Sequence, residues 1–163
     1  MCAGIRTARA SQRSRIIRIA CSACAFDRCP DPPMIRPEDL LRPTPAGLYC
    51  PPGDFYVDPV RPVDRAVVTH GHSDHARSGH GAVLATGQTL AIMAERYGED
   101  FTVLRQPVAY GEAATHNGVE IKLVPAGHVL GLAQAVVSYQ GLTMVVSGDY
   151  KRRRDPTCAR FEP

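Results

Sequence analysis

Arg65-Ala66-Val67-Val68-Thr69-His70-Gly71-His72-Ser73-Asp74-His75-Ala76 joins a short apolar run to four potential metal ligands, His70, His72, Asp74 and His75. The run Arg65–Thr69 is short, apolar and β-branched, the pattern of a buried strand, and it ends directly on His70. His70 and His72 stand two apart, so in extended chain their side chains share one side. Asp74 and His75 follow where the chain is expected to turn toward a helix, which lets one loop feed two adjacent metals. Imidazole nitrogens and a carboxylate suit Zn²⁺, with Mn²⁺ or Fe²⁺ as alternatives. A lone histidine is ordinarily a surface or satisfied core residue. Four ligand-type side chains packed this closely are not explained that way.

Two further stretches present residues of the same kind. In Val124-Pro125-Ala126-Gly127-His128 a strand runs out, a glycine permits a sharp turn and a histidine follows. In Met144-Val145-Val146-Ser147-Gly148-Asp149 a buried apolar strand ends in Gly-Asp, and an aspartate there can bridge two cations. Neither is specific alone, since Gly-Asp commonly makes turns.

The remaining pattern is rich in short strands. Prolines at 37, 43, 45, 51 and 52 make the segment from Met34 an extended lead-in, with strands at Gly47–Cys50 and Phe55–Asp58. Ala82–Ala85 reads as another strand. Leu90, Met93, Ala94 and Tyr97 then fall on one helix face. Thr86 or Thr89 can cap that helix, and Gly98 can end it. Thr102–Leu104, Val108–Tyr110, Val119–Val124, Ala133–Tyr139 and Leu142–Val146 follow as strands, with Gln140-Gly141 as a tight hairpin turn. The expected class is α/β or α+β, with polar chemistry on loops at strand ends.

At 163 residues the chain fits one domain. Its 44% hydrophobic and 21% charged content is that of an ordinary globular protein. No run of eighteen apolar residues exists, so no helix is expected to span a membrane. The net charge of +3 is unevenly placed. Residues 1–34 hold six Arg against Asp27 and Asp31, whereas the remainder holds 13 basic and 14 acidic residues. A basic arm can touch nucleic acid. The plainer reading of residues 1–33 is a disordered extension, or a mis-assigned start with the body at 34–163 beginning at Met34. Ile16 to Phe26 makes a poor signal sequence, because Arg18 interrupts it and no small-residue cleavage site follows. Cys21, Cys24 and Cys29 lack a fourth metal ligand at matching spacing, and Cys50 and Cys158 show no framework pattern. All six cysteines, Cys2 included, read as reduced thiols of a cytoplasmic protein.

The order His70-Gly71-His72-Ser73-Asp74-His75, then Gly127-His128, then Gly148-Asp149 resembles the metallo-β-lactamase superfamily. The resemblance implies an αβ/βα sandwich and two divalent metal ions, Zn²⁺ or alternatively Mn²⁺. It implies that His70, His72 and His128 hold one ion, that Asp74 and His75 hold the other, and that Asp149 bridges both. Asp74 and Asp149 would be the catalytic carboxylates. Asp58 stands where the family places a buried aspartate that props the histidine loop. A cation pair of this kind activates water and stabilises charge growing on a phosphoryl or carbonyl group.

The flanks narrow the resemblance. The stretches 40–50, Pro125–Gln134 and Ser147–Cys158 are similar to the ligase-associated DNA exonuclease family, relatives of the nucleic-acid-processing β-CASP group. The similarity covers about Met34 to Pro163. It implies DNA as substrate, and an ATP-dependent DNA ligase and a helicase as partners. Lys151-Arg152-Arg153-Arg154 fits a phosphate substrate, with Lys151 and Arg152 the first candidates for backbone contacts; a solvated charged loop is the bland reading. His80 and His116 fall outside the ligand pattern and read as structural or surface residues. Ser73 has no paired base and is not read as a nucleophile. The family continues beyond the point where this chain ends. The resemblance therefore implies a truncated chain lacking a further histidine ligand, the β-CASP cap and half of the sandwich, and poorly active alone. The rival readings are an RNA-processing β-CASP nuclease, a small-molecule thioester or lactone metallo-hydrolase, and an inactive metal-binding fragment.

Overall fold

A computed structural model describes residues 35–163. The expectations for residues 1–33, including Cys2, Cys21, Cys24 and Cys29, lie outside the described residues. The element order is α1 (Pro37–Leu40), β1 (Arg42–Thr44), β2 (Gly47–Cys50), β3 (Phe55–Val57), β4 (Arg65–Val67), β5 (His80–Ala85), α2 (Gly87–Tyr97), β6 (Thr102–Pro107), β7 (Ala113–His116), β8 (Val119–Pro125), β9 (Ala133–Tyr139) and β10 (Leu142–Val146).

Two sheets form. The first runs β1-β2-β3-β4-β5-β6 and the second β10-β9-β8-β7. The first sheet begins as antiparallel hairpins and is parallel from β3 to β6. Parallel neighbours cannot be joined by a tight turn and need a crossover. Between β5 and β6 that crossover is α2. Between β4 and β5 it is the segment 68–79, which carries His70, His72, Asp74 and His75. The second sheet is a purely antiparallel meander.

Side-chain alternation divides the first sheet between two cores. Val57, Val67 and Leu84 face the second sheet and pack with Val119, Ile121, Leu123, Ala135 and Val137. Ala66, Val68, Val83 and Ala85 face the other way, against Leu90 and Met93 of α2 and Phe101. Each fully buried aliphatic side chain contributes about 1.5–3 kcal/mol. The result is a helix, a mixed sheet and an antiparallel sheet in layers, as expected of the mixed α/β class. No helix among the described residues is long and apolar enough to cross a membrane.

The helix and the last hairpin match the sequence pattern closely. Thr86 caps α2 by accepting the Thr89 N–H at 3.2 Å, and Gly98 ends it. Gln140 and Gly141 both take positive φ, as a type I′ turn requires. Three readings need correction. Val108–Tyr110 is not a separate strand: one edge strand continues from Thr102 through Arg105 and Gln106 to Pro107. An edge position lets these polar residues face solvent while the backbone pairs on one side. β1 and β7 were not expected as strands. β1 is a three-residue hairpin arm inside the proline-rich lead-in, and β7 joins β8 through Asn117-Gly118, both at positive φ. The third concerns the chain after the histidine loop. Ala76 N–H donates to His72 O at 2.7 Å, a single helical turn, and the chain then enters β5; the helix comes one strand later.

Candidate metal centre

The ligand-type residues sit just beyond strand ends. Asp58 follows β3, His70 follows β4, His128 follows β8 and Asp149 follows β10. Crevices outside the carboxyl ends of strands are where sheet proteins of this kind place their sites. The two sheets are joined at this rim, where Ala133 N–H donates to Thr69 O at 2.9 Å. His70 is fully buried, and His72, His128 and Asp149 reach toward it from the partly exposed side.

Asp149 Oδ2 is the common point. It lies 3.6 Å from His70 Nε2, 3.8 Å from His72 Nδ1 and 3.8 Å from His128 Nε2. His70 Nε2 and His72 Nδ1 are 3.0 Å apart. Ligand bonds of 2.0–2.1 Å in a tetrahedron put donor atoms roughly 3.3 Å from one another. The separations bracket that figure, so this donor set fits a divalent cation. His70, His72 and Asp149 keep their donor atoms within 4.8 Å of one another. His128 is the looser corner, its ring centre 6.5 Å from that of His70. A second pair adjoins the first: His75 Nε2 is 3.7 Å from Asp74 Oδ2, and the His75 ring centre is 4.2 Å from that of His70.

Asp58 governs which ring nitrogens are free. Its Oδ2 accepts from His75 Nδ1 at 2.7 Å, so the neutral His75 ring carries its lone pair on Nε2, on the Asp74 side. The same oxygen accepts the Thr69 hydroxyl at 2.6 Å, while Oδ1 takes the Thr69 N–H at 2.8 Å. With its one proton committed to Asp58, the Thr69 oxygen accepts from His70 Nδ1 at 3.0 Å. His70 Nε2 then carries a lone pair, 3.0 Å from His72 Nδ1 and 3.6 Å from Asp149 Oδ2. Asp58 adopts φ +44°, a left-handed conformation that aspartate tolerates better than most residues. Sequence reasoning singled out Asp58 but not Thr69, whose only signal was a buried β-branched hydroxyl directly before His70.

Electrostatics agree with this division. Burial, reinforced by the neighbouring His75, pushes the His70 imidazole down to about 4, so it is neutral near pH 7. The hydrogen bond that His75 donates to the Asp58 carboxylate raises the basicity of His75.

The candidate phosphate contacts are arranged differently from each other. Lys151 Nζ is held by Asp155 Oδ2 at 2.8 Å. Arg152 is exposed and lines a groove of about 380 Å³ with Gln134, Ser147, Tyr150 and Phe161. His80 and His116 stand apart from the cluster. His80 is buried, accepts the Val63 N–H on Nδ1 at 3.3 Å and leaves Nε2 without a partner. Cys50 and Cys158 are free thiols.

Comparison with known proteins agrees with the geometry. The pattern of the Metallo-beta-lactamase superfamily matches residues 57–162. A probable DNA ligase of Opitutus terrae is 32% identical over 110 residues, which is 66% of this chain and 10% of that protein. Cleavage and polyadenylation specificity factor subunit 3 of Dictyostelium discoideum is 26% identical over 123 residues, 57% of this chain and 16% of that protein. Endoribonuclease ysh1 of Aspergillus fumigatus is 38% identical over 52 residues, 32% of this chain and 6% of that protein. The chain thus spans a small part of each of these relatives. With the family pattern running through the His70–His75 loop, His128 and Asp149, the chain belongs to the metallo-β-lactamase superfamily, whose members are metal-dependent hydrolases.

Proposed function

We propose that the chain carries the metal centre of a DNA exonuclease that hydrolyses phosphodiester bonds and works beside a DNA ligase and a helicase. The observation that carries this reading is the convergence of three histidine nitrogens on Asp149 Oδ2 at 3.6–3.8 Å. In this reading His70, His72 and His128 hold one divalent ion, Asp74 and His75 hold a second, and Asp149 serves both. Zn²⁺ suits the nitrogen-rich first set, with Mn²⁺ as the alternative. Such ions supply an acidified water and stabilise charge at the phosphoryl group. The chain's own part is positional. Asp58 and Thr69 fix the proton on Nδ1 of His75 and His70, so each offers Nε2 as a lone pair. Asp74 and Asp149 supply the anionic oxygens of the centre. Arg152, with Lys151 behind it, offers positive charge to a phosphate backbone. The match to a protein named as a probable DNA ligase supports DNA and a ligase partner.

The matches to an endoribonuclease and to a polyadenylation factor support a second reading, an RNA-processing nuclease. One experiment separates the two: the purified chain is loaded with Zn²⁺ or Mn²⁺ and given 3′- and 5′-labelled DNA and RNA of the same sequence. Trimming of DNA from one end, slow in this chain alone, is the result that supports the exonuclease. Cleavage of RNA alone favours the second reading. Hydrolysis of a thioester or lactone with both nucleic acids intact overturns the nuclease assignment.

A further inference from the structure

We propose that α2 is the positioning strut of the metal centre, with Thr86 and Thr89 at one end fixing the His128 loop and Arg96 and Tyr97 at the other fixing the His70–His75 loop. The inference rests on the metal reading given above, and adds residues that touch no ligand atom themselves.

The N-terminal end of α2 grips Gly131. Thr86 Oγ1 donates to Gly131 O at 2.7 Å and Thr89 Oγ1 donates to the same oxygen at 3.0 Å. Both threonines are buried. Two hydroxyl donors saturate the carbonyl's lone pairs. Gly131 has φ +78°, and a Cβ there would stand 2.8 Å from Thr89 N, so this backbone lies directly on the helix end. His128 is three residues away in a loop closed by Leu132 N–H to Val129 O at 3.1 Å. A shift of Gly131 is therefore passed to His128.

The C-terminal end grips the other loop twice. Arg96 Nη1 donates to Gly71 O, the peptide oxygen between His70 and His72. Tyr97 Oη donates to Ala76 O at 2.8 Å, the residue directly after His75. A Cβ on residue 71 would meet Ile92 Cγ2 at 2.7 Å, so here too the backbone rests on α2. Thr86 to Tyr97 spans about 16 Å at 1.5 Å per residue. A helix is stiff along its axis, so the separation of its two ends is a fixed length. Thr86 serves as helix cap and loop anchor together: its oxygen accepts the Thr89 N–H while its proton goes to Gly131. Helix formation and placement of His128 thus use the same atom.

The test titrates the full chain with Co²⁺, whose visible absorption reports coordination geometry. Wild type is compared with Thr89→Val, Tyr97→Phe and the conservative Thr89→Ser, and the melting temperature of each metal-free protein is recorded. Outer partners of metal ligands change metal affinity by about 10–100-fold. For these residues, one step further out, Thr89→Val and Tyr97→Phe are each expected to weaken Co²⁺ binding about tenfold and to alter the spectrum at saturation. Thr89→Ser is expected to restore both. A melting temperature that falls while affinity and spectrum stay at wild-type values overturns the strut and leaves a purely structural role. Tyr97→Phe, the loss of one half-buried hydroxyl, keeps the test open if Thr89→Val does not fold. Wild type that binds no Co²⁺ overturns the metal reading itself and the strut with it; bound Co²⁺ with unchanged variants overturns the strut alone.

Discussion

Asp58 Oδ2 lies 2.7 Å from His75 Nδ1, across seventeen residues of sequence, and shares that oxygen with the Thr69 hydroxyl. One carboxylate therefore sets the tautomers of two rings, His75 directly and His70 through Thr69. Asp58→Asn keeps the shape but removes the negative charge and turns one of the two acceptor oxygens into a donor. An amide nitrogen cannot accept, so at most two of the three donors now met by Asp58 keep an acceptor, and none of them keeps a charged one. The expected outcome is a loss of about 10–100-fold in metal affinity, with His75 returning toward ordinary imidazole basicity. Metal titration and the His75 resonance in a pH-dependent NMR spectrum check it; unchanged affinity would remove Asp58 from its role as prop.

The buried histidines predict acid sensitivity of the metal-free chain. His70 is held at about 4, and burial also lowers His80. An unfolded histidine titrates near about 6.5. Between these values the unfolded state binds the extra proton, so stability is full above about pH 6.5 and falls as pH drops toward about 4. His75 has the opposite sign, because its raised folded value contributes stability at low pH that is lost as pH rises through it. With His116 also lowered, three depressed rings against one raised ring leave a net decline on acidification, of order 1 kcal/mol per pH unit for each uncompensated proton. Urea midpoints of the metal-free chain from about pH 7 to about pH 5 measure it. A flat profile would mean that the four rings cancel.

The inter-sheet core predicts a contrast between neighbours. Leu123 of β8 is fully buried and pairs in register with Ala135, facing Val67 and Leu84 of the first sheet. Lys122 points to the opposite face of the same strand and is partly exposed. Leu123→Ala is expected to cost about 2–5 kcal/mol, and Lys122→Ala less than about 0.5 kcal/mol. Equal effects in chemical denaturation would contradict the assigned strand register, since a one-residue slip exchanges the two faces.

What the sequence made legible is what is local. The run Arg65–Thr69 ending on His70 showed both a strand and its chemistry, because β-branched residues and ligand types sit side by side. The helix showed through the spacing of Leu90, Met93, Ala94 and Tyr97, and the last hairpin through Gln140-Gly141. Two strands were hidden for different reasons. β1 is short and proline-bearing, and is strand only because β2 pairs with it. β7 is two alanines followed by Thr115 and His116, with no apolar alternation, and Asn117-Gly118 is the one local sign of its hairpin. Contacts were less legible than ligands. The bonds from Thr69 to Asp58, from Thr89 to Gly131 and from Arg96 to Gly71 join residues far apart in the chain, and hydroxyls and guanidinium groups carry no periodic signature. Lys151 shows the same limit in reverse: its place beside Asp149 suggested a free cation, and Asp155 four residues on already holds it.

That last contact makes the two candidate phosphate residues unequal. Arg152 is exposed and free to meet a backbone phosphate, whereas Lys151 must first leave Asp155. Each cation that neutralises a phosphate adds about 0.7–0.9 to the slope of log affinity against log salt. Arg152→Ala is therefore expected to flatten the salt dependence of DNA binding by nearly one unit, and Lys151→Ala by much less. Asp155→Asn frees Lys151, and in that background Lys151→Ala is expected to flatten the slope as much as Arg152→Ala does. Fluorescence anisotropy with labelled DNA across a salt series measures these variants and the Lys151→Ala/Arg152→Ala double variant. If the Lys151→Ala and Arg152→Ala double variant binds DNA like wild type, the basic stretch is a solvated loop and the nucleic acid lies elsewhere.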